Sequence, residues 1–308
     1  MTNVNWHGVF AAVTTQFRED GALDVAATLE HLDFLVDQGL QGLIILGTVG
    51  EGTSLSADEK LELTRAVVGR FRGEVPVLVG VAENTTREAC RFAAAVEKIG
   101  ADGLMVLPAM VYHADEQEVQ AHLRMVARST GLPIMVYNNP VAYKVDIPPH
   151  VFRSLADEEN LVAIKESSED SRRITDLAVE CGDRYLLFVG IDDLAMEGAL
   201  LGARGWVGGL VNAFPREGRI LWDLLQEGRL DEARELYRWY TPLLHLDARP
   251  KLVQCIKLVM AEVGLGREVL RLPRLPLQGS EREEVLNLLR KALATRPDLA
   301  VPGRSQVS

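Results

Sequence analysis

Short runs of apolar residues alternate along this chain with longer stretches in which apolar residues recur every three or four positions. A short apolar run predicts a β-strand that is buried on both faces, and the longer pattern predicts an amphipathic helix. Eight such runs predict strands at residues 9–14, 42–46, 75–81, 103–107, 134–137, 161–165, 185–189 and 205–208. Because a helical pattern follows each run, the chain consists of repeated strand–helix units.

The predicted helices follow from the spacing of their apolar residues and from their capping residues. The first helix carries its apolar face at Leu29, Leu32, Leu35 and Val36. The second begins at Ser56, because Glu59 three residues later fits a capping box. Six further helices are predicted at residues 86–99, 115–129, 148–155, 171–181, 192–201 and 215–226. We expect Asp192 and Asp193 to cap the helix that begins there.

Eight strand–helix units before residue 228 favour an α/β fold, namely a closed (β/α)8 TIM barrel. An open doubly wound sheet is the alternative, but it usually brings a glycine-rich dinucleotide turn, and no G-x-G-x-x-G follows the first strand. Beyond the barrel the pattern is helical, at residues 230–245, 250–263 and 280–295. We therefore predict a catalytic barrel domain over residues 1–227, a three-helix region over 228–296 and a flexible tail over 297–308.

Composition and charge exclude several classes of partner. The 308 residues include 44 acidic and 33 basic side chains, and the net charge of −11 argues against nucleic acid or an anionic membrane surface. No apolar run is long enough to span a membrane, and the first residues do not resemble a signal peptide. The three cysteines are far apart and suggest no disulfide framework, so we expect a cytoplasmic protein.

The carboxyl ends of the strands are where a barrel of this kind places its chemistry. Lys165 ends the sixth apolar run, so its stem is expected to enter the mouth of the barrel. A lysine that is kept from water loses its proton more easily and becomes a nucleophile. Alternatively, Lys165 reaches solvent or pairs with Glu166.

Two further candidates lie at the ends of other strands. Tyr137 could pass protons to and from a bound substrate, or it could be a core aromatic residue with a satisfied hydroxyl. The segment Gly47–Gly52 could hold an anion with its backbone N–H groups, or it could be a tight turn only. The six histidines show no metal-ligand spacing, and no Gly-x-Ser-x-Gly elbow is present, so neither a metal site nor a serine hydrolase is expected.

Three motifs in order resemble the dihydrodipicolinate synthase and N-acetylneuraminate lyase superfamily, which consists of lysine-dependent aldolases. They are Gly47-Thr48-Val49-Gly50-Glu51, Tyr137-Asn138-Asn139-Pro140 and Ile164-Lys165-Glu166. The resemblance implies a TIM barrel, a homotetramer of tight dimers, and no external cofactor.

The resemblance also implies roles for individual residues. Lys165 would form an imine with a small 2-oxo acid, and Tyr137 would transfer protons. The backbone of Thr48 and Val49 would hold the substrate carboxylate. We further expect three residues at strand ends to contribute to the substrate site, namely Gly47, Gly190 and Val207.

Three positions depart from the synthase pattern. The resemblance implies a second hydroxyl where Val49 stands, a tyrosine lent across the dimer where Met110 stands, and an arginine where Ala142 stands. Tyr112 is a candidate replacement for that tyrosine. The segments around Pro108, Tyr137 and Lys165, together with Gly209-Leu210-Val211-Asn212-Ala213-Phe214-Pro215, are more similar to the branch that contains 1-pyrroline-4-hydroxy-2-carboxylate deaminase.

This branch implies a Schiff-base deaminase of hydroxyproline degradation, which would convert its cyclic imino acid into 2,5-dioxopentanoate and ammonia. One alternative is 4-hydroxy-tetrahydrodipicolinate synthase. Another is an aldolase or dehydratase that acts on a different 2-oxo acid, such as 4-hydroxy-2-oxoglutarate or a deoxy-sugar acid. A catalytically silent binding protein on the same barrel is an alternative of another class, although the presence of both Lys165 and Tyr137 argues against it.

Overall fold

Eight parallel strands form the centre of the structure, a computed structural model that describes residues 4–299. They close into a barrel in sequence order, and the first strand pairs with the last. The strands are β1 (Gly8–Ala12), β2 (Gly42–Ile45), β3 (Val77–Val81), β4 (Gly103–Val106), β5 (Ile134–Asn138), β6 (Leu161–Glu166), β7 (Leu186–Val189) and β8 (Gly205–Gly208). The predicted TIM barrel is confirmed, and the open sheet is excluded.

The described residues form twelve α-helices, most of which surround the barrel. They are α1 (Val25–Asp37), α2 (Ala57–Phe71), α3 (Thr86–Ile99), α4 (Glu116–Ala127), α5 (Pro140–Tyr143), α6 (Pro149–Ser154), α7 (Arg172–Cys181), α8 (Ala195–Leu200), α9 (Pro215–Gln226), α10 (Leu230–Leu244), α11 (Leu252–Glu262) and α12 (Gly279–Ala294). The capping box predicted at Ser56 is confirmed, since its hydroxyl accepts from the Glu59 N–H at 3.3 Å and the Glu59 carboxylate accepts from the Ser56 N–H at 2.8 Å.

Aromatic rings fill part of the barrel interior. The rings of Phe10 and Phe188 meet edge to face, with their centroids 5.3 Å apart. A Cβ at Gly42 would lie 2.4 Å from the Phe10 ring, and a Cβ at Gly205 would lie 2.2 Å from the Phe188 ring. These two glycines therefore leave the space that the rings occupy, whereas a cavity opens at the carboxyl ends of the strands.

The capping role predicted for Asp192 is wrong. Its side chain is fully buried and accepts hydrogen bonds from Trp206 Nε1 at 3.1 Å and from the backbone N–H groups of Gly209 and Leu210 at 3.0 and 2.6 Å. Asp192 lies in a 3-10 turn that precedes α8, so its carboxylate is directed toward the end of β8 instead of the helix N-terminus. It connects the loops that follow β7 and β8.

The helices after the barrel hold the loop that follows β2. Lys257 of α11 and Glu51 form an ion pair at 2.6 Å in which both side chains are fully buried. The observed helices α10, α11 and α12 agree closely with the three predicted ones, while the division into two domains stays a prediction. Residues 300–308 of the predicted tail lie outside the described residues. Within residues 4–299, no helix has the length and apolar character that crossing a membrane requires.

Candidate active site

A cavity of about 500 Å³ opens at the carboxyl ends of the barrel strands. The structure brings all seven residues of the predicted site into its wall, namely Gly47, Thr48, Val49, Tyr137, Lys165, Gly190 and Val207. They come from loops and strands that are separated by up to 160 positions in sequence, between Gly47 and Val207. Parallel strands end at one face of the barrel, and that topology places these residues together.

Lys165 lies on β6 and is only 4% exposed. Its Nζ lies 4.1 Å from the centroid of the Tyr137 ring. Burial lowers the pKa of the Lys165 amine to about 8, against the opposing effect of the Asp247 and Asp192 carboxylates. Glu166 accepts instead from Asn138 Nδ2 at 3.0 Å and from the Ser168 N–H at 2.6 Å. Lys165 therefore neither reaches bulk solvent nor pairs with Glu166.

Gly190, at the end of β7, gives the stem of Lys165 its space. A Cβ at Gly190 would lie 2.7 Å from Lys165 Cγ, 2.8 Å from Lys165 Cε and 2.1 Å from Ser167 Oγ. These distances are far below normal carbon contacts, so any side chain here would displace the lysine. Gly190 thereby fixes where the amine enters the cavity.

Tyr137, at the end of β5, contributes a buried phenol beside that amine. Its hydroxyl accepts a hydrogen bond from Asn139 Nδ2 at 3.0 Å. Burial raises the pKa of Tyr137, whereas the side chains of Asn139, Ser167 and Thr48 lower it. The phenol is therefore protonated near neutral pH and can donate a proton.

The loop after β2 presents polar groups to the same cavity. Within the described part of the chain, no group accepts a hydrogen bond from the backbone N–H of Thr48 or Val49. Glu51 has a left-handed backbone conformation with φ 51°, and Lys257 and the Arg271 N–H hold its carboxylate at 2.6 and 3.1 Å. Residues far along the chain therefore fix the loop, and two of its N–H groups can bind a carboxylate.

Tyr143 is a site residue that the sequence analysis missed. It lies in the short helix α5, which was also missed, and its hydroxyl forms a short hydrogen bond with Thr48 Oγ1. Its ring meets the Tyr137 ring edge to face at 6.1 Å. Tyr112, by contrast, is 57% exposed and donates to Glu118 Oε1 at 2.8 Å. Within one chain, Tyr143 and not Tyr112 supplies the additional phenol near Thr48.

Asp247 was missed as well, because it belongs to no recognised motif. It lies between α10 and α11 and lines the cavity that contains Lys165. Burial raises the pKa of Asp247 to about 6, although the neighbouring Lys165 lowers it. In the sequence, Asp247 and Arg249 form a charged segment before Pro250, in a connection between two helices. This segment is the signal that could have pointed to Asp247.

Comparison with known proteins agrees with this geometry. The sequence model of the Dihydrodipicolinate synthetase family matches residues 5–292. The chain belongs to this family. It is therefore an enzyme of the lysine Schiff-base lyase class, and the resemblance seen in the sequence is confirmed.

Members of the family from bacteria are similar over nearly the full length. The 4-hydroxy-tetrahydrodipicolinate synthase of Nitrosococcus oceani is 33% identical, over 94% of this chain and 97% of the relative. The enzyme of the same name from Pelobacter propionicus is 31% identical, over 89% and 94%. The solved structure of that synthase from Methylacidiphilum fumariolicum is 29% identical and has a TM-score of 0.89, over 94% of this chain and 98% of the other.

The described residues contain no group of three or more His, Cys, Asp or Glu side chains that could hold a metal ion. The reactive groups that line the cavity include the Lys165 amine, the Tyr137 phenol and the carboxylates of Asp247 and Glu169. Such a set can form an imine and move protons around it.

Proposed function

We propose that this family member is a Schiff-base deaminase that converts 1-pyrroline-4-hydroxy-2-carboxylate into 2,5-dioxopentanoate and ammonia. The observation that carries the proposal is the buried Lys165 amine, with its lowered pKa, beside the Tyr137 phenol in one cavity. A small cyclic imino acid is the substrate that the sequence resemblance suggests. Its C=N carbon is an electrophile that a neutral amine can attack.

The proposed roles follow from where each group lies. Lys165 attacks C2 of the ring and becomes an imine, while the ring nitrogen leaves C2 as an amine. Tyr137 transfers protons at the reacting carbons. The free N–H groups of Thr48 and Val49 hold the substrate carboxylate, and Gly47, Gly190 and Val207 complete the wall.

An apolar part of the wall favours the deaminase over the synthase. Val49 and Ala142 both line the cavity where the resemblance implies a hydroxyl and an arginine. Arg249 is the cavity's own arginine, and it donates to Glu284 at 2.7 Å. A deaminase binds one compact substrate, so its cavity needs no arginine to hold a second carbonyl compound.

The synthase activity is the second candidate, because relatives at about 30% identity carry the name 4-hydroxy-tetrahydrodipicolinate synthase. Purified protein would be offered 1-pyrroline-4-hydroxy-2-carboxylate, with 2,5-dioxopentanoate followed by a coupled dehydrogenase. A parallel reaction would contain pyruvate and aspartate semialdehyde. Turnover of only the second pair would overturn the proposed deaminase in favour of the synthase.

A variant that lacks the Lys165 amine tests whether this amine forms the imine. Lys165→Ala should abolish turnover, and borohydride should no longer leave a mass adduct on the corresponding peptide. A fully active Lys165→Ala protein would remove the lysine from the mechanism. Wild-type protein that gives no adduct with any 2-oxo acid would favour the silent binding protein instead.

Three wider expectations belong to the same proposal. We infer a homotetramer from the resemblance to the superfamily, a cytoplasmic location from the three widely separated cysteines, and a place in hydroxyproline degradation from the resemblance to the deaminase branch. The negative net charge of −11 supports a small-molecule partner rather than nucleic acid or a membrane surface. Light scattering of the purified protein would test the tetramer, and a monomer at micromolar concentration would contradict it.

A further inference from the structure

Asp247 brings a carboxylate into the cavity from outside the barrel strands. It lies in the connection between α10 and α11, and it lines the same cavity as Lys165 and Tyr137. A Cβ at Gly209 would lie 2.5 Å from Asp247 Oδ1, so the absence of a side chain at Gly209 leaves room for this carboxylate. Asp247 is close enough to Lys165 to affect the pKa of the amine.

The hydrogen bonds of Asp247 distinguish it from the neighbouring Asp192. Three donors satisfy the Asp192 carboxylate, at 2.6–3.1 Å. Asp247 accepts only one hydrogen bond from a described residue, a long one of 3.4 Å from the Asp192 N–H. Asp192 is therefore a structural carboxylate, whereas Asp247 has an oxygen free to meet a ligand.

The surroundings of Asp247 also favour a carboxyl group that can carry a proton. Burial and the nearby Asp193 raise its pKa, while Lys165 and the Asp192 N–H lower it, and the result is about 6. Glu169 is the other carboxylate that lines the cavity, but it is exposed to solvent. Of the two, Asp247 is the one that can deliver a proton away from bulk water.

We propose that Asp247 is the catalytic acid that protonates the 4-hydroxyl of the ring-opened substrate as this group leaves C4 as water. This inference rests on the proposed deaminase function, since the synthase reaction need not expel a hydroxyl from the corresponding C4 position. Tyr137 would then transfer the proton at C3, and Asp247 would protonate the hydroxyl that leaves C4.

The step balances without an external oxidant or reductant. The Tyr137 phenol gives its proton to the departing ring nitrogen. The resulting phenolate then takes a proton from C3, which converts the protonated Lys165 imine into an enamine. The enamine electrons form the C3=C4 bond and restore the protonated imine, while the C4–O bond breaks. Its electron pair stays on oxygen, which takes the Asp247 proton and departs as water. Proton transfer from C5 to C3 and from the amine nitrogen to C4 then converts the C3=C4 bond into a C5 imine. One water hydrolyses the C5 imine and releases ammonia, and a second hydrolyses the C2 imine, which frees Lys165 and the product.

The test compares Asp247→Asn with Asp231→Asn, an exposed aspartate of α10 outside the cavity wall that pairs with Arg234 at 2.7 Å. Three substrates isolate the step, namely 1-pyrroline-4-hydroxy-2-carboxylate, its 4-chloro analogue and 1-pyrroline-2-carboxylate. Chloride needs no proton from an acid in order to leave. 1-Pyrroline-2-carboxylate has no leaving group at C4, so it permits only exchange of its C3 hydrogens with deuterium oxide. Circular dichroism and denaturant unfolding would establish that both variants are folded.

We expect Asp247→Asn to lower turnover of the 4-hydroxy substrate by roughly 10²–10⁴. Its turnover of the 4-chloro substrate and its C3 exchange should stay within about tenfold of wild type, because neither requires that acid. Asp231→Asn should match wild type with all three. Turnover of the 4-hydroxy substrate within about threefold of wild type would overturn the proposal. Equal losses with all three substrates in a folded variant would do the same.

A wild-type measurement keeps the proposal testable if Asp247→Asn does not fold. With the 4-hydroxy substrate, kcat should fall as the pH rises through the pKa of Asp247, and with the 4-chloro substrate it should not. The ionisable groups that act on or respond to Asp247 are Lys165, Asp192, Asp193, Tyr137 and Tyr240. Identical pH profiles for the two substrates would overturn the role of Asp247. Failure of the proposed function itself looks different, since wild type would then not turn over the 4-hydroxy substrate at any pH.

Discussion

The reactivity of Lys165 should depend on pH in a way that its burial dictates. Burial lowers the pKa of the amine from 10.5 to about 8. At pH 7 that pKa leaves about one amine in ten neutral, whereas an unperturbed lysine leaves about one in three thousand. The gain in nucleophile is about 300-fold, which corresponds to about 3 kcal/mol.

The assay measures the rate at which cyanoborohydride traps pyruvate on the Lys165 peptide. Mass spectrometry monitors the adduct at each pH between about 6 and 10. Since the neutral amine attacks, the rate should rise about tenfold for each pH step of one below the midpoint and level off above about pH 8. Exposed lysines on the same protein, such as Lys251, which pairs with Glu281, provide the internal control for reaction outside the cavity.

The effect of the Asp247 carboxylate on Lys165 can be tested separately. The Asp247 carboxylate favours the protonated form of Lys165, so Asp247→Asn should move the midpoint of trapping to lower pH. A wild-type midpoint near 10, or a shift to higher pH in Asp247→Asn, would refute the view that burial opposed by this carboxylate sets the pKa.

Three further substitutions test other parts of the site. Tyr137→Phe should lower turnover by roughly 10²–10⁴, with trapping by borohydride preserved, and unchanged turnover would contradict its role in proton transfer. Gly190→Ala would place a Cβ 2.1–2.8 Å from the side chains of Ser167 and Lys165 and should slow trapping by about 10². Gly69→Ala, where nothing lies within 4 Å, is the matched control and should react normally. Lys257→Met removes the 2.6 Å partner of the buried Glu51 carboxylate and leaves it only the Arg271 N–H at 3.1 Å and Arg274 at 3.9 Å, so urea unfolding should show a loss of about 3–5 kcal/mol. A loss below about 1 kcal/mol would mean that the pair contributes little to stability.

Most of the barrel could be predicted because its signals are local. A strand covered on both faces is a short apolar run, and a helix on the barrel surface repeats its apolar residues along one face. The helices at Thr86–Ile99 and Pro215–Gln226 begin and end where the sequence predicts. The pattern is weaker where an element is short or polar, and α5 at Pro140–Tyr143 was missed for that reason.

The positions of Lys165, Tyr137 and the loop after β2 were also predictable from the chain. A parallel barrel brings the carboxyl ends of all its strands to one face. Residues at the predicted strand ends are therefore expected to lie close together. Asp192 shows the limit of this reasoning. Its place before a helix suggested a cap, but a local rule does not see the donors that Trp206 of β8 and the backbone of Gly209 and Leu210 after it supply.

The amino-acid sequence by itself therefore determined the barrel and the strand ends that carry the reactive lysine and phenol. Only the tertiary structure decided that Asp247 enters the cavity, 82 positions along the chain from Lys165, and that Tyr143 reaches Thr48. It also decided the lowered pKa of the amine, because burial depends on what packs around a side chain and not on its neighbours in sequence.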